Sequence, residues 1–97
     1  KCGYYDGSAS DIPITTGFTP RFVLIKRTNG ASYWNVFDSL RSMGSSGNDG
    51  QLLININSAQ QTNKDFVNTT ATGFVVKVGA DGDTNVAGGE YIYYAHA

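Results

Sequence analysis

The sequence is poor in the residues that build disulfides, metal centres and acid–base sites. It contains one cysteine, Cys2, and one histidine, His96, among 97 residues. A single cysteine excludes an internal disulfide and a cysteine-based zinc site. We expect Cys2 to pack as a small apolar side chain, with a link between two chains as the alternative. His96 has no serine or cysteine nucleophile near it in the sequence, so histidine-based catalysis is not expected.

Clustered charge and long apolar runs are also missing. The formal net charge is −1, and the seven Lys and Arg residues are scattered along the chain. A nucleic-acid interface would need a cluster of positive charge, and a membrane-spanning helix would need about 20 consecutive apolar residues. The sequence therefore indicates neither nucleic-acid binding nor membrane insertion, and it predicts no cofactor.

What is present is glycine, 12 residues of it, and short apolar runs rich in β-branched and aromatic types. Such runs, bounded by turn residues, are typical of strands. Seven strands are predicted, at residues 3–6, 11–15, 21–28, 33–38, 51–57, 73–78 and 90–97. The expected fold is all-β, an antiparallel β-sandwich or flattened barrel of about seven strands. We expect residues 1–97 to form a single domain and, because the sequence starts without Met, interpret it as a piece of a longer protein.

The strand patterns also separate core from surface. In residues 21–28 both faces are apolar, as in a central strand. Residues 60–72 have no clear pattern; we expect a short helical turn at 59–63, after which Phe66 and Val67 return to the core. In residues 51–57 the alternation predicts one covered face, carried by Leu52, Ile54 and Ile56.

Turn residues predict the connections between the strands. Asn29-Gly30 stands between two strong strands and predicts a tight hairpin, because both residues tolerate positive φ. The polar stretches 42–50 and 79–89 predict exposed loops. Residues 81–85 of the second stretch alternate carboxylate and amide side chains like a calcium loop, but an EF-hand needs flanking helices and a glutamate at a set spacing. We interpret this segment as a solvated turn and predict no metal site.

A few side chains are candidates for binding or for fixing the fold. Asp38 and Arg41 have the spacing of an ion pair that locks a turn. Tyr33 and Trp34 are neighbours on a predicted strand and should face opposite sides, so one ring is expected to be exposed for stacking on a sugar; core packing of Trp34 is the alternative. The remaining candidate ligand-binding residues lie in the polar loops: Asn48, Asp49, Asp83 and Asn85.

Several motifs, taken together, carry a family likeness. They are GYYDG at residues 3–7, ITTGFTPRFVLIKR at 14–27, Trp34…Phe37-Asp38-Ser39…Arg41, Gly73-Phe74, and Asn85…GGEYIYYA at 85–95. In this order they resemble a small β domain repeated in the tail and fibre (receptor-binding) proteins of tailed bacteriophages, and the likeness covers nearly the whole chain. One departure is Ser42, where the family usually has a glycine.

The resemblance implies a domain of the virion, located on a tail appendage and exposed to the extracellular medium. Such proteins commonly form homotrimers and contact the host surface, and the resemblance gives no catalytic residues to carry over to this chain. We therefore expect a non-catalytic domain that recognises a host cell-surface glycan or protein through its polar loops, with other copies of itself and other tail proteins as further partners. The alternative is a structural module that decorates the tail or holds the trimer together. An enzyme fragment is disfavoured, because no pair of carboxylates is spaced for glycoside hydrolysis.

Overall fold

The computed structural model describes residues 1–79 and 82–97. In this part of the chain the regular structure consists of nine strands and one short 3-10 turn, Ser39–Arg41. These residues include no helix long and apolar enough to cross a membrane. The strands are β1 (Cys2–Asp6), β2 (Ile12–Thr15), β3 (Phe22–Arg27), β4 (Asn35–Asp38), β5 (Asp49–Leu53), β6 (Gln61–Lys64), β7 (Val67–Thr70), β8 (Gly73–Val76) and β9 (Glu90–His96).

The strands form two antiparallel sheets. One sheet has six strands in the order β1-β9-β3-β4-β5-β6, and the other has three in the order β2-β8-β7. The first and last strands are neighbours, with Cys2 opposite Tyr94 and Asp6 opposite Glu90. The predicted all-β class is confirmed, and two antiparallel sheets of this kind fit a sandwich-like fold.

The core consists of one face of the larger sheet together with residues of β7, β8 and the β6–β7 link. Strand β9 alternates strictly: Tyr91, Tyr93 and Ala95 are buried, and the residues between them are exposed. Aromatic pairs form contacts between different strands in this core. The ring quadrupole favours edge-to-face and offset arrangements of such pairs. The ring centroids of Phe37 and Phe66 lie 5.3 Å apart. The other buried core side chains are Tyr5, Val23, Ile25, Met43, Val67, Phe74 and Val76.

Two strands, β6 and β7, were not predicted. The expected helical turn at residues 59–63 is wrong, because Gln61–Lys64 pairs with β5 as an edge strand. Its sequence is polar throughout, so no apolar period indicates a strand. The expected return of Phe66 and Val67 to the core is confirmed, since both are fully buried.

The strand predicted at 51–57 is displaced toward the N-terminus. β5 begins at Asp49 and ends at Leu53, where a turn starts. Ile54 and Ile56 are consequently exposed, and the predicted covered face is wrong for these two side chains. The periodic pattern continues past the point at which the strand ends.

The tight hairpin predicted at Asn29-Gly30 is also wrong. β3 and β4 do pair, but the last pair is Ile25 with Asn35, which leaves a long connection. The Asn29 side chain instead ties this connection to the start of β9. Its Oδ1 accepts from the backbone nitrogen of Glu90 at 2.9 Å, and its Nδ2 donates to the Gly88 carbonyl at 2.9 Å.

Candidate functional site

The structure does not gather the predicted ligand-binding residues into one site. Tyr33 and Asp83 line the same cleft, whereas Trp34 lies on a separate apolar groove. Asn48 is exposed but lines neither surface. Asp49 and Asn85 are buried and bind other parts of the chain.

The surface that contains Tyr33 and Asp83, here called the polar cleft, has a volume of about 270 Å³. Its walls come from the β3–β4 connection, the turn after β5 and the loop before β9. The Ser32 hydroxyl donates to Asp83 Oδ1 at 2.7 Å, and Asn55 Oδ1 accepts from the Trp34 backbone nitrogen at 3.2 Å. The Tyr33 ring is 42% exposed. The lining residues are Ala31, Ser32, Tyr33, Asn55 and Asp83.

Two buried tyrosines fix the loop that carries Asp83. The Tyr5 hydroxyl donates to the Thr84 carbonyl and the Tyr91 hydroxyl to the Gly82 carbonyl, each at 2.7 Å. Burial, with a smaller contribution from Tyr91, raises the pKa of Tyr5. The Tyr5 hydroxyl therefore stays protonated, as a donor must.

Asn85 fixes the same loop from its other end. Asn85 Oδ1 accepts from the Ser8 backbone nitrogen at 2.8 Å, and its Nδ2 donates to the Ser10 carbonyl at 3.1 Å. The predicted solvated turn is therefore wrong for Thr84 and Asn85, which are buried, and Asn85 acts as a structural residue. Asp81 lies outside the described residues. Among the residues that are described, no three His, Cys, Asp or Glu side chains lie close enough to hold a metal ion.

Trp34 lies on the opposite side of the chain from Tyr33, as expected for neighbours near the start of a strand. It is 36% exposed, so the alternative that places it in the core is wrong. It borders an apolar groove of about 320 Å³ on the outer face of the six-stranded sheet. The groove is lined by Cys2, Gly3, Leu24, Lys26, Trp34, Ile92, Tyr93 and Tyr94.

Asp49 is not available to a ligand. Its side chain is fully buried, and Oδ2 accepts from the backbone nitrogens of Phe66 and Val67 at 2.7 and 2.8 Å. Oδ1 has no hydrogen-bond partner among the described residues. The pKa of Asp49 is raised to about 6, mainly because the carboxyl is buried. The two N–H donors lower this pKa, and the nearby negative charge of Asp65 raises it, but both effects are smaller than that of burial. The carboxylate thus ties β5 to the β6–β7 link, and its prediction as a loop ligand is wrong.

The exposed loop predicted at residues 42–50 is only partly present. Met43 is buried in the core, and Asp49 and Gly50 belong to β5. Residues 45–48 are exposed, Asn48 among them. The accessible part of this loop is therefore a short segment.

Asp38 and Arg41 form the ion pair that their spacing predicts. Arg41 Nε and Nη2 both lie 2.8 Å from Asp38 Oδ2. The other carboxylate oxygen accepts from the backbone nitrogens of Leu40 and Arg41 and caps the 3-10 turn. Ser42, which follows, has φ 74°, the left-handed region that favours glycine. A glycine at this position would adopt the conformation without strain.

Sequence reasoning missed Ser32 and Asn55 in the polar cleft and the exposed Ile92 and Tyr94 on the outer sheet face. Ser32 lies in a segment without periodic pattern, and Asn55 lies on the face of the alternating run 51–57 that was not predicted to be covered; neither shows a local motif for binding. The alternation of β9 places Ile92 and Tyr94 on one face, but both faces of that strand are rich in apolar residues. Sequence alone therefore does not tell which face is covered.

Comparison with known proteins gives one result. Searches of curated proteins and of solved structures each found no match. The whole chain, residues 1–97, matches a family described as Domain of unknown function (DUF7483). The protein thus belongs to the DUF7483 family.

Proposed function

We propose that this chain is a non-catalytic recognition domain of a bacteriophage tail or fibre protein, and that it binds a host-surface glycan in the polar cleft. The virion setting rests on the motif resemblance described above. The glycan rests on one structural observation: an exposed tyrosine ring borders a cleft that also presents a hydroxyl, an amide and a carboxylate.

These groups match the chemistry of a sugar. A tyrosine offers a flat apolar face and a hydroxyl at its rim, and the Tyr33 ring is exposed beside the cleft. Carboxylate oxygens accept hydrogen bonds from hydroxyl groups, and the amide of Asn55 can donate and accept. A small number of fixed polar groups beside an apolar surface is the usual arrangement of a ligand site.

The cleft is also held in shape before any ligand binds. Tyr5, Tyr91 and Asn85 hold the loop of Asp83 by side-chain hydrogen bonds to backbone groups. Groups that are already fixed lose little conformational entropy on binding, which favours affinity. The loop residues outside this network, Asn48 above all, offer no comparable arrangement.

The proposal is tested by binding of the isolated chain to an array of bacterial surface oligosaccharides, followed by titration of the best ligand. Tyr33→Ala should weaken binding about tenfold, since a stacked ring contributes about 0.5–1.5 kcal/mol beyond its buried area. Asn48→Ala is the control and should bind as the native chain does. No binding to any glycan would contradict the proposal, and so would loss of binding in Asn48→Ala with retention in Tyr33→Ala.

A further inference from the structure

The outer face of the six-stranded sheet carries an apolar surface that the fold leaves uncovered. Strand pairing places side chains from β1, β9, β3, β4 and β5 in one continuous row. Tyr4, Ile92 and Lys26 form part of the next row, beside Trp34. Tyr4 is 82% exposed, and Ile92 and Tyr94 are both more than a third exposed. The members of the first row are Cys2, Tyr94, Leu24, Val36 and Leu52. Of these, Cys2 and Tyr94 are exposed, Leu24 and Leu52 are partly buried, and Val36 is buried.

The two ends of this face carry opposite charge. At one end Asp6 and Glu90 are exposed and directly opposite each other on β1 and β9. Like charges in this position repel, and neither forms an ion pair among the described residues. At the other end Arg21 and His96 are exposed and line the same depression. Asp38 also lies there, but Arg41 neutralises it.

We propose that this face binds a second copy of the chain, face to face and with the strands antiparallel. A two-fold axis between the faces and perpendicular to the strands would place the acidic end of each copy on the basic end of the other. The same operation lays Ile92 of each copy on Tyr94 of the other and removes both side chains from water. Charge complementarity of this kind within one surface selects the copy itself over an unrelated partner.

The size of the face indicates the class of contact that it can form. The exposed part of the face lies on β1, β9, β3 and the Trp34 end of β4. Four strands about 4.8 Å apart, with about six residues at about 3.3 Å each, cover roughly 19 × 20 Å. A face-to-face pair would bury on the order of 800 Å² in total, which lies in the range of weak, reversible contacts. The contact is distinct from a homotrimer, because a two-fold operation joins two copies only.

The test is sedimentation of the whole chain from about 10 μM to about 1 mM, which detects weak and reversible association. A reversible monomer–dimer equilibrium is expected, and added salt should weaken it by screening the charged ends. Tyr94→Ser, at the centre of the face, should lower the association constant at least about tenfold by removing a large aromatic contact. Tyr33→Ser removes an equally exposed ring from the polar cleft and should leave the constant unchanged.

Charge exchange gives the sharper test. The double variant Asp6→Arg/Glu90→Lys has two basic ends and Arg21→Asp two acidic ends, so each should be monomeric alone, and an equimolar mixture should form a heterodimer. Circular dichroism and thermal melting establish that each variant is folded; Arg21→Glu replaces Arg21→Asp if that variant is not. If the native chain stays monomeric at about 1 mM, the face does not bind a second copy and the proposal is overturned. A different protein chain would then be the remaining candidate partner for the face. Formation of a trimer, or a mixture no more associated than its components, would also overturn it.

Discussion

The buried carboxylate of Asp49 should give the domain an unusual dependence of stability on pH. Its pKa is raised from 3.8 to about 6 in the folded chain, so between these two values the folded state binds a proton that the unfolded state does not. The free energy of unfolding therefore falls as pH rises from about 4 to about 6. At about 1.4 kcal/mol per pKa unit, the loss from this residue approaches about 3 kcal/mol at neutral pH.

Asp49→Asn isolates this effect, because the amide oxygen can still accept from the backbone nitrogens of Phe66 and Val67 while the charge is removed. Urea unfolding of both proteins at several pH values between 4 and 7 gives the comparison. The stability of Asp49→Asn relative to the native chain should increase by about 2.5 kcal/mol across this range. Burying the amide nitrogen shifts the whole curve by a constant amount and does not alter its slope.

The same residue can be followed directly by NMR titration of its carboxyl carbon. The expected midpoint is about 6, and Asp65→Asn should lower it by removing a nearby negative charge. A midpoint near that of an unfolded chain, or parallel stability curves for the native chain and Asp49→Asn, would refute the reasoning. A free energy of unfolding that rises steadily with pH in the native chain, but not in Asp49→Asn, would refute it as well.

Three further substitutions test the local geometry, each by thermal or urea denaturation. Ser42→Gly should stabilise the domain by about 0.5–1 kcal/mol, since φ 74° strains a side chain that glycine lacks; a loss of stability would contradict this. Tyr5→Phe should cost about 1–3 kcal/mol by leaving the Thr84 carbonyl without its donor, and an unchanged midpoint would count against that role. Gly73→Ala should cost more than about 2 kcal/mol, because its Cβ would collide with a backbone carbonyl of β2. Gly44→Ala meets open space and should be nearly neutral; equal losses in the two alanine variants would argue against the collision.

Much of the fold could be predicted because its central strands have a regular pattern. In β3 and β9 the buried side chains recur at every second residue, and this period is visible in the sequence. Strand β6 has no such period, because its side chains at an exposed edge are polar. It pairs with β5 through backbone hydrogen bonds, which any residue except proline can form, so the amino-acid composition does not reveal the pairing.

The candidate site was harder to predict for a related reason. Asp49 lies in a polar, glycine-rich segment, and nothing in that segment separates a buried carboxylate from a solvated one. Its burial depends on two backbone nitrogens 17 and 18 residues away. The polar cleft likewise joins Ser32 to Asp83 across 51 residues. Contacts of this range follow from the tertiary fold and not from local sequence.

The pairing of the first strand with the last has a mechanical consequence. Residue 1 lies beside Ala95, with backbone hydrogen bonds in both directions between them. A pull that separates the two ends would load these bonds one after another, so the sheet would unzip from β1 instead of resisting in shear. Conversely, a longer polypeptide could carry this domain as a side branch, because its entry and exit points almost touch. Tension along such a polypeptide would reach the domain only through this single pair of strands.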